Sequence, residues 1–128
     1  MLFFLLLASI LIAGSVLCLI YSGRKIWSLR NRVINVSFGF TVAIALVIGI
    51  YYGVFGNFTL NDHIRVQGLP IPLVTFVFEN QSWVDYVTLG WAGYAFLTAN
   101  ALFPAGLTGG FWWLLATYLS SRRKRASS

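Results

Sequence analysis

Two long stretches of this chain, Leu2 to Ser22 and Val33 to Gly56, carry no charged side chain, and basic residues fill the gap between them. A helix needs ~20 apolar residues to cross about 30 Å of hydrocarbon, so each stretch predicts one crossing. Of the nine Lys and Arg residues, eight fall in two clusters at the ends of apolar runs: Arg24, Lys25, Arg30 and Arg32, then Arg122, Arg123, Lys124 and Arg125. The three acids, Asp62, Glu79 and Asp85, all lie between the clusters. Lys and Arg flanking a span are retained on the cytoplasmic side, which predicts both clusters inside and the acidic stretch outside.

Composition agrees with a lipid-solvated chain. It is 59% hydrophobic and 9% charged, where soluble domains carry about 25% charged residues, and a 128-residue fold cannot hide so much apolar surface in one core. The net charge of +6 raises the question of nucleic acid. A nucleic-acid site needs its bases on a folded polar surface with aromatic or groove-reading partners, whereas these flank apolar runs, so no nucleic-acid partner is expected. The headgroups of membrane lipids are the simpler counterion, at about 1 kcal/mol per basic residue.

A cleavable signal peptide carries its bases ahead of the apolar core. Here they follow it, which predicts a retained first helix over 1–22 with its N-terminus outside. Cys18 is the sole cysteine, which excludes an internal disulfide or a thiolate cluster; between Leu17 and Leu19 it reads as a buried small residue.

The segments that follow are a basic cytoplasmic loop (23–32), a second spanning helix (33–56), an outer segment (57–88), a long apolar stretch (89–121) and a basic cytoplasmic tail (122–128). Within the outer segment His63–Gln67 alternates polar and apolar, and Leu73–Phe78 is rich in β-branched and aromatic residues. Gly68-Leu69-Pro70 between them reads as a turn, predicting a small β-hairpin leaning on its surroundings through Trp83, Tyr86 and Trp91. The stretch 89–121 would be about 50 Å long as a helix at 1.5 Å per residue, more than one crossing requires. Two crossings would put the basic tail outside, so one is expected, either as a long helix kinked at Pro104 or as an interfacial helix followed by a spanning one. The fold class expected is thus an all-α integral membrane protein of three transmembrane helices, with a small extracytoplasmic β-hairpin between the second and third.

Ser37, Thr41, Ala45, Gly49 and Gly53 recur every four residues along the second helix and make one face small. Small faces let helix backbones approach in lipid. This face is expected to pack the first two spans together, with an interface to another subunit as the alternative; Gly14, Cys18 and Ser22 form a shorter matching set. Asn100, the strongly polar side chain of the last stretch, suits a hydrogen bond within the bundle better than a water path. The first two spans carry no charge at membrane depth, which argues against proton or ion coupling.

His63 with Asp62, Glu79 and Asp85 matches no metal or acid/base spacing, and no catalytic residue, metal or cofactor is expected. Asn57-Phe58-Thr59 and Asn80-Gln81-Ser82 fit the glycosylation pattern on the outer side. The function expected is a non-catalytic accessory or structural subunit of a membrane, the bacterial inner membrane being favoured, packed against a partner membrane protein or its own copies. In size, three spans, outer N-terminus and basic inner C-terminus, the chain resembles in outline the three-span phage holins. That resemblance implies a self-assembling pore former, although the long outer segment departs from it. A small transporter or membrane enzyme component is a further alternative.

Overall fold

The computed structural model describes residues 2–85 and 90–126, and the side chains of these except 90, 91 and 123–126. Three helices and a four-stranded sheet follow in the order α1 (Leu2–Ser28), α2 (Arg32–Phe55), β1 (Asn57–Asn61), β2 (Ile64–Gln67), β3 (Val74–Glu79), β4 (Ser82–Asp85) and α3 (Gly90–Ala126). Two of the helices, α1 and α2, are long and apolar enough to cross a membrane. The third is not among them, because Pro104, the glycines, the threonines and the tryptophans dilute its apolar character.

The basic loop expected over 23–32 is shorter than that. Helix α1 runs on through Arg24 and Lys25 to Ser28, and the turn narrows to Leu29–Asn31, with Arg30 at a positive φ of 50°. Both bases are good helix formers, and Lys25 lies in the last turn, where a cation meets the negative end of the helix dipole. Asn31 then caps α2: its side chain accepts from the backbone N–H of Val33 and Ile34, satisfying two donors that a helix start leaves open.

Helix α3 is the centre of the bundle. It packs along both α1 and α2, while those two barely touch each other. Ala8 of α1 meets Ala92, Phe96 and Ala99, Ser15 lies against Gly106, and Ser22 meets Gly109, so α1 and α3 run parallel. Gly53 lies against Leu97 and Asn100, Gly49 against Ala101, and Thr41 bonds Trp112, so α2 runs antiparallel to both. The C-terminal ends of α1 and α3 and the N-terminal end of α2, which carry the two basic clusters, therefore lie at the same end of the bundle.

At the opposite end the expected hairpin is present as β2 and β3, paired antiparallel with Ile64 opposite Val77 and Gln67 opposite Val74. It is, however, the middle of a four-stranded antiparallel meander in the order β1-β2-β3-β4. The outer strands escaped the periodicity because their side chains are almost all exposed, so no burial imposes alternation on them. The β3–β4 turn is tight, with Asn80 and Gln81 at φ of 50° and 63°, the mirror-image type that matches the strand twist.

Helix α3 passes unbroken through Pro104 and through Gly109–Gly110. A separate interfacial helix over 89–102 is thus replaced by one continuous element. Tyr86 and the side chain of Trp91, expected to seat the hairpin, lie outside the described residues.

Candidate functional site: a loop clamped inside the bundle

The β2–β3 connection, residues 68–73, does not simply turn. It folds back between the N-terminal halves of α1 and α3, where Ile71 is fully buried in a cluster with Ala8, Ala92, Phe96 and Ala99, flanked by Leu5, Leu11, Ile12 and Leu73. Gly68 makes the entry possible: its φ is +102°, and an added Cβ would stand 2.9 Å from both the Ile71 carbonyl and the Leu73 nitrogen. The Leu69–Pro70 peptide bond is cis.

Irregular backbone among apolar helices leaves its polar groups without water, at a cost of several kcal/mol each if unpaired. Asn100 removes that cost at Ile71. Its Oδ1 accepts from the Ile71 N–H at 2.9 Å and its Nδ2 donates to the Ile71 carbonyl at 2.8 Å. The amide thereby imitates a β-strand neighbour, pairing both backbone groups of one residue. Asn100 is itself fully buried, and Gly53 on α2 makes room for it, since a Cβ there would lie 3.0 Å from the Asn100 Cβ. Asn100 thus forms its hydrogen bonds within the bundle, to a re-entrant loop.

The base of the sheet is tied to α2 by the carbonyls its last turn leaves open. Gln67 Nε2 donates to the Val54 carbonyl, Asn57 Nδ2 to that of Phe55 at 3.1 Å, and the Gly68 N–H to that of Gly56 at 2.8 Å. With the Ile71 clamp, the sheet is fixed to both α2 and α3.

The small-residue stripe of α2 faces α3, not α1 as expected. Ala45, Gly49 and Gly53 are buried, Ser37 is half-buried, and Thr41 accepts from Trp112 Nε1 at 2.8 Å. Gly49 makes the closest approach, with an added Cβ reaching 2.6 Å from the Ala101 carbonyl oxygen and 2.8 Å from that of Asn100. Pro104 has no N–H to give the Asn100 carbonyl one turn earlier, so Gly49 packs where the helix ladder is broken. On α1 the set Gly14, Cys18 and Ser22 is not one face: Ser22 is buried, while Gly14 and Cys18 are exposed. The residues actually buried are Ala8, Ser15 and Ser22, together with Ile26.

The polar outer residues do not converge. Asp62 and His63 sit at the β1–β2 turn and Glu79 opens the β3–β4 turn, both at the end of the sheet away from the clamp, whereas Asp85 pairs with Phe76 further back along β4. Among the described residues no three His, Cys, Asp or Glu side chains are placed to hold a metal ion. Arg24, Arg30 and Arg32 are exposed and Lys25 is half-buried, while Arg122 stacks over the Tyr118 ring at 5.1 Å; the side chains of Arg123, Lys124 and Arg125 lie outside the described residues. Compared with models of protein families, with curated proteins and with solved structures, the chain matches none.

Proposed function

We propose that this chain is a small multi-pass membrane subunit without chemistry of its own, which holds a four-stranded sheet rigidly on the outer face as a docking element for a partner membrane protein. In this reading α1, α2 and α3 all cross the bilayer, with α3 as the third span and both basic ends in the cytoplasm. The Asn100–Ile71 clamp carries the proposal. A loop whose only task is to join two strands has no need to be buried and paired at both backbone groups, whereas a sheet that must resist load or keep one orientation does.

Past its anchored base the sheet is open. Every residue of β4 is exposed, and Phe78, Trp83, Val84 and Leu60 offer apolar area to the outside. Among the described residues β4 is an edge strand of the sheet; such an edge is a template for a further strand, and exposed aromatics beside it supply the contact area that interfaces favour.

Two measurements test this. A reporter fused after Ser128 is expected to give a cytoplasmic signal, and one at Asn80 an outer signal; Ser128 outside would overturn the three-span arrangement. A photo-crosslinking residue in place of Trp83 is expected to give one discrete adduct in the native membrane, lost when Val84→Lys places a charge on the exposed edge strand. Purification in mild detergent as a bare monomer, with no adduct at Trp83, would sink the subunit reading.

A further inference from the structure

Because α1 and α2 each pack on α3 and scarcely on one another, they leave a cleft between them at the basic end. It encloses about 430 Å³ and is lined by Gly23, Ile26, Phe38 and Gly39, with Arg24, Trp27 and Asn35 completing the wall. Its floor is apolar and smooth: an added Cβ at Gly39 would meet nothing within 4 Å, and one at Gly23 would meet only the Phe38 ring at 3.9 Å. Phe38 is held in place by the edge of Trp112, 6.2 Å between centroids. The Asn35 amide adds a polar group to the wall, and its buried Oδ1 has no hydrogen-bond partner.

We infer that this cleft binds an anionic phospholipid of the inner leaflet, with an acyl chain lying along Gly23, Phe38 and Gly39 and the phosphate at Arg24. The inference rests on the membrane reading above. Charge complementarity selects this occupant over a second copy of the chain. Copies in one membrane share one orientation, so a homotypic contact here would bring two basic ends together, where all eight clustered bases of each copy lie and none of the three acids does. An anionic headgroup supplies the missing counter-charge instead, and guanidinium is the side chain best shaped to grip a phosphate. Trp27, mostly exposed beside Arg24, is the residue type that settles at headgroup depth.

The test compares dioleoyl-phosphatidylglycerol with dioleoyl-phosphatidylcholine, added to the full chain in mild detergent and read by native mass spectrometry and by the unfolding temperature. Phosphatidylglycerol is expected to be retained and to raise the unfolding temperature, and phosphatidylcholine to do neither. Arg24→Gln is expected to weaken retention about tenfold, the loss of one charge-assisted contact. Gly39→Leu, which the open space around Gly39 tolerates, is expected to abolish retention while the lipid-free unfolding temperature stays unchanged. Equal retention of both lipids, or retention unaffected by both variants, would overturn the inference, as would a Gly39→Leu variant that splits an oligomer and leaves lipid binding intact. A chain that carbonate washes out of membranes would fail the membrane reading itself, whereas a membrane-inserted chain without lipid preference would fail only this inference.

Discussion

Along α1 the small residues buried against α3 recur every seven positions, Ala8, Ser15 and Ser22, whereas along α2 they recur every four, Ala45, Gly49 and Gly53. A seven-residue repeat drifts slowly around a helix and suits a shallow left-handed crossing; a four-residue small repeat wraps the other way and suits a closer right-handed one. The contacts differ accordingly. On the α1 side, side chains meet α3: the Ser22 hydroxyl donates to the Gly109 carbonyl at 2.6 Å, and Ser15 fills the space over Gly106. On the α2 side, backbone meets backbone, with Gly49 against the carbonyls of Asn100 and Ala101. One central helix thus uses two packing solutions, and the glycine-on-carbonyl one lies where Pro104 interrupts the ladder.

The largest effect should come from breaking this difference directly. Gly49→Ala puts a methyl group 2.6 Å from a backbone oxygen that cannot rotate away, and is expected to cost about 3 kcal/mol, the upper part of the usual range for overpacking. Gly106→Ala is also crowded, at 2.6 Å from Ser15 Oγ and 2.8 Å from Ser15 Cα, but much of that obstacle is a side chain. Trimming it with Ser15→Gly removes the Oγ and Cβ contacts and leaves the Cα one, so it should recover part of the loss, whereas no side-chain trimming of α3 reaches the carbonyl oxygens that oppose Gly49→Ala. Unfolding of Gly49→Ala, of Gly106→Ala and of Gly106→Ala combined with Ser15→Gly in one mild detergent measures this. No rescue by Ser15→Gly would mean that the two seams do not differ as described.

A smaller effect, about 2 kcal/mol, is expected for Asn100→Leu. The replacement is apolar and of similar size, but it strands the N–H and carbonyl of Ile71 in a dry site. Hydrogen exchange should report it locally, with the Ile71 amide losing protection while the amides of α1 keep theirs. If the Ile71 amide exchanges as slowly in the variant as in the parent, the clamp is not what holds the loop.

The two seams were not equally legible in the sequence. The four-residue stripe of α2 stood out because it contains two glycines, Gly49 and Gly53, which lie against α3; what the pattern could not carry was its partner, since a small face suits any helix that comes near. The α1 seam was hidden for a physical reason. Ala and Ser at seven-residue spacing are common in spanning helices, and Gly14 and Cys18, which the sequence groups with Ser22, stay exposed at the margin of the seam beside Gly106, Leu107 and Gly110. The expected end of the first helix at Ser22 fell short of the observed Ser28, because Arg24 and Lys25 are good helix formers and do not end a helix. The four-stranded sheet was half visible: β2 and β3 show alternation because they are partly buried, and β1 and β4 show none because they are not. The clamp was the least legible feature, since an Asn in an apolar run states that a partner exists and not which one.

The smallest effect concerns a glycine outside both seams. Gly14 lies on α1 between Leu11 and Ser15, yet an added Cβ there would meet nothing within 4 Å. Glycine in a helix interior is about 1 kcal/mol worse than alanine when packing does not require it, so Gly14→Ala should raise stability in mild detergent by up to that amount. The sign matters more than the size. A gain means that the seven-residue seam is complete within this chain and that Gly14 faces outward, as its exposure indicates. A loss of 1 kcal/mol or more would mean that α1 sits closer to α3 on this side than described, and Gly14 would then belong to the seam. The intended subunit role adds a second reading of the same variant: if a partner helix rests on this face, Gly14→Ala should stabilise the isolated chain while lowering the yield of the Trp83 adduct in membranes, a combination that an interface confined to the outer sheet would not produce.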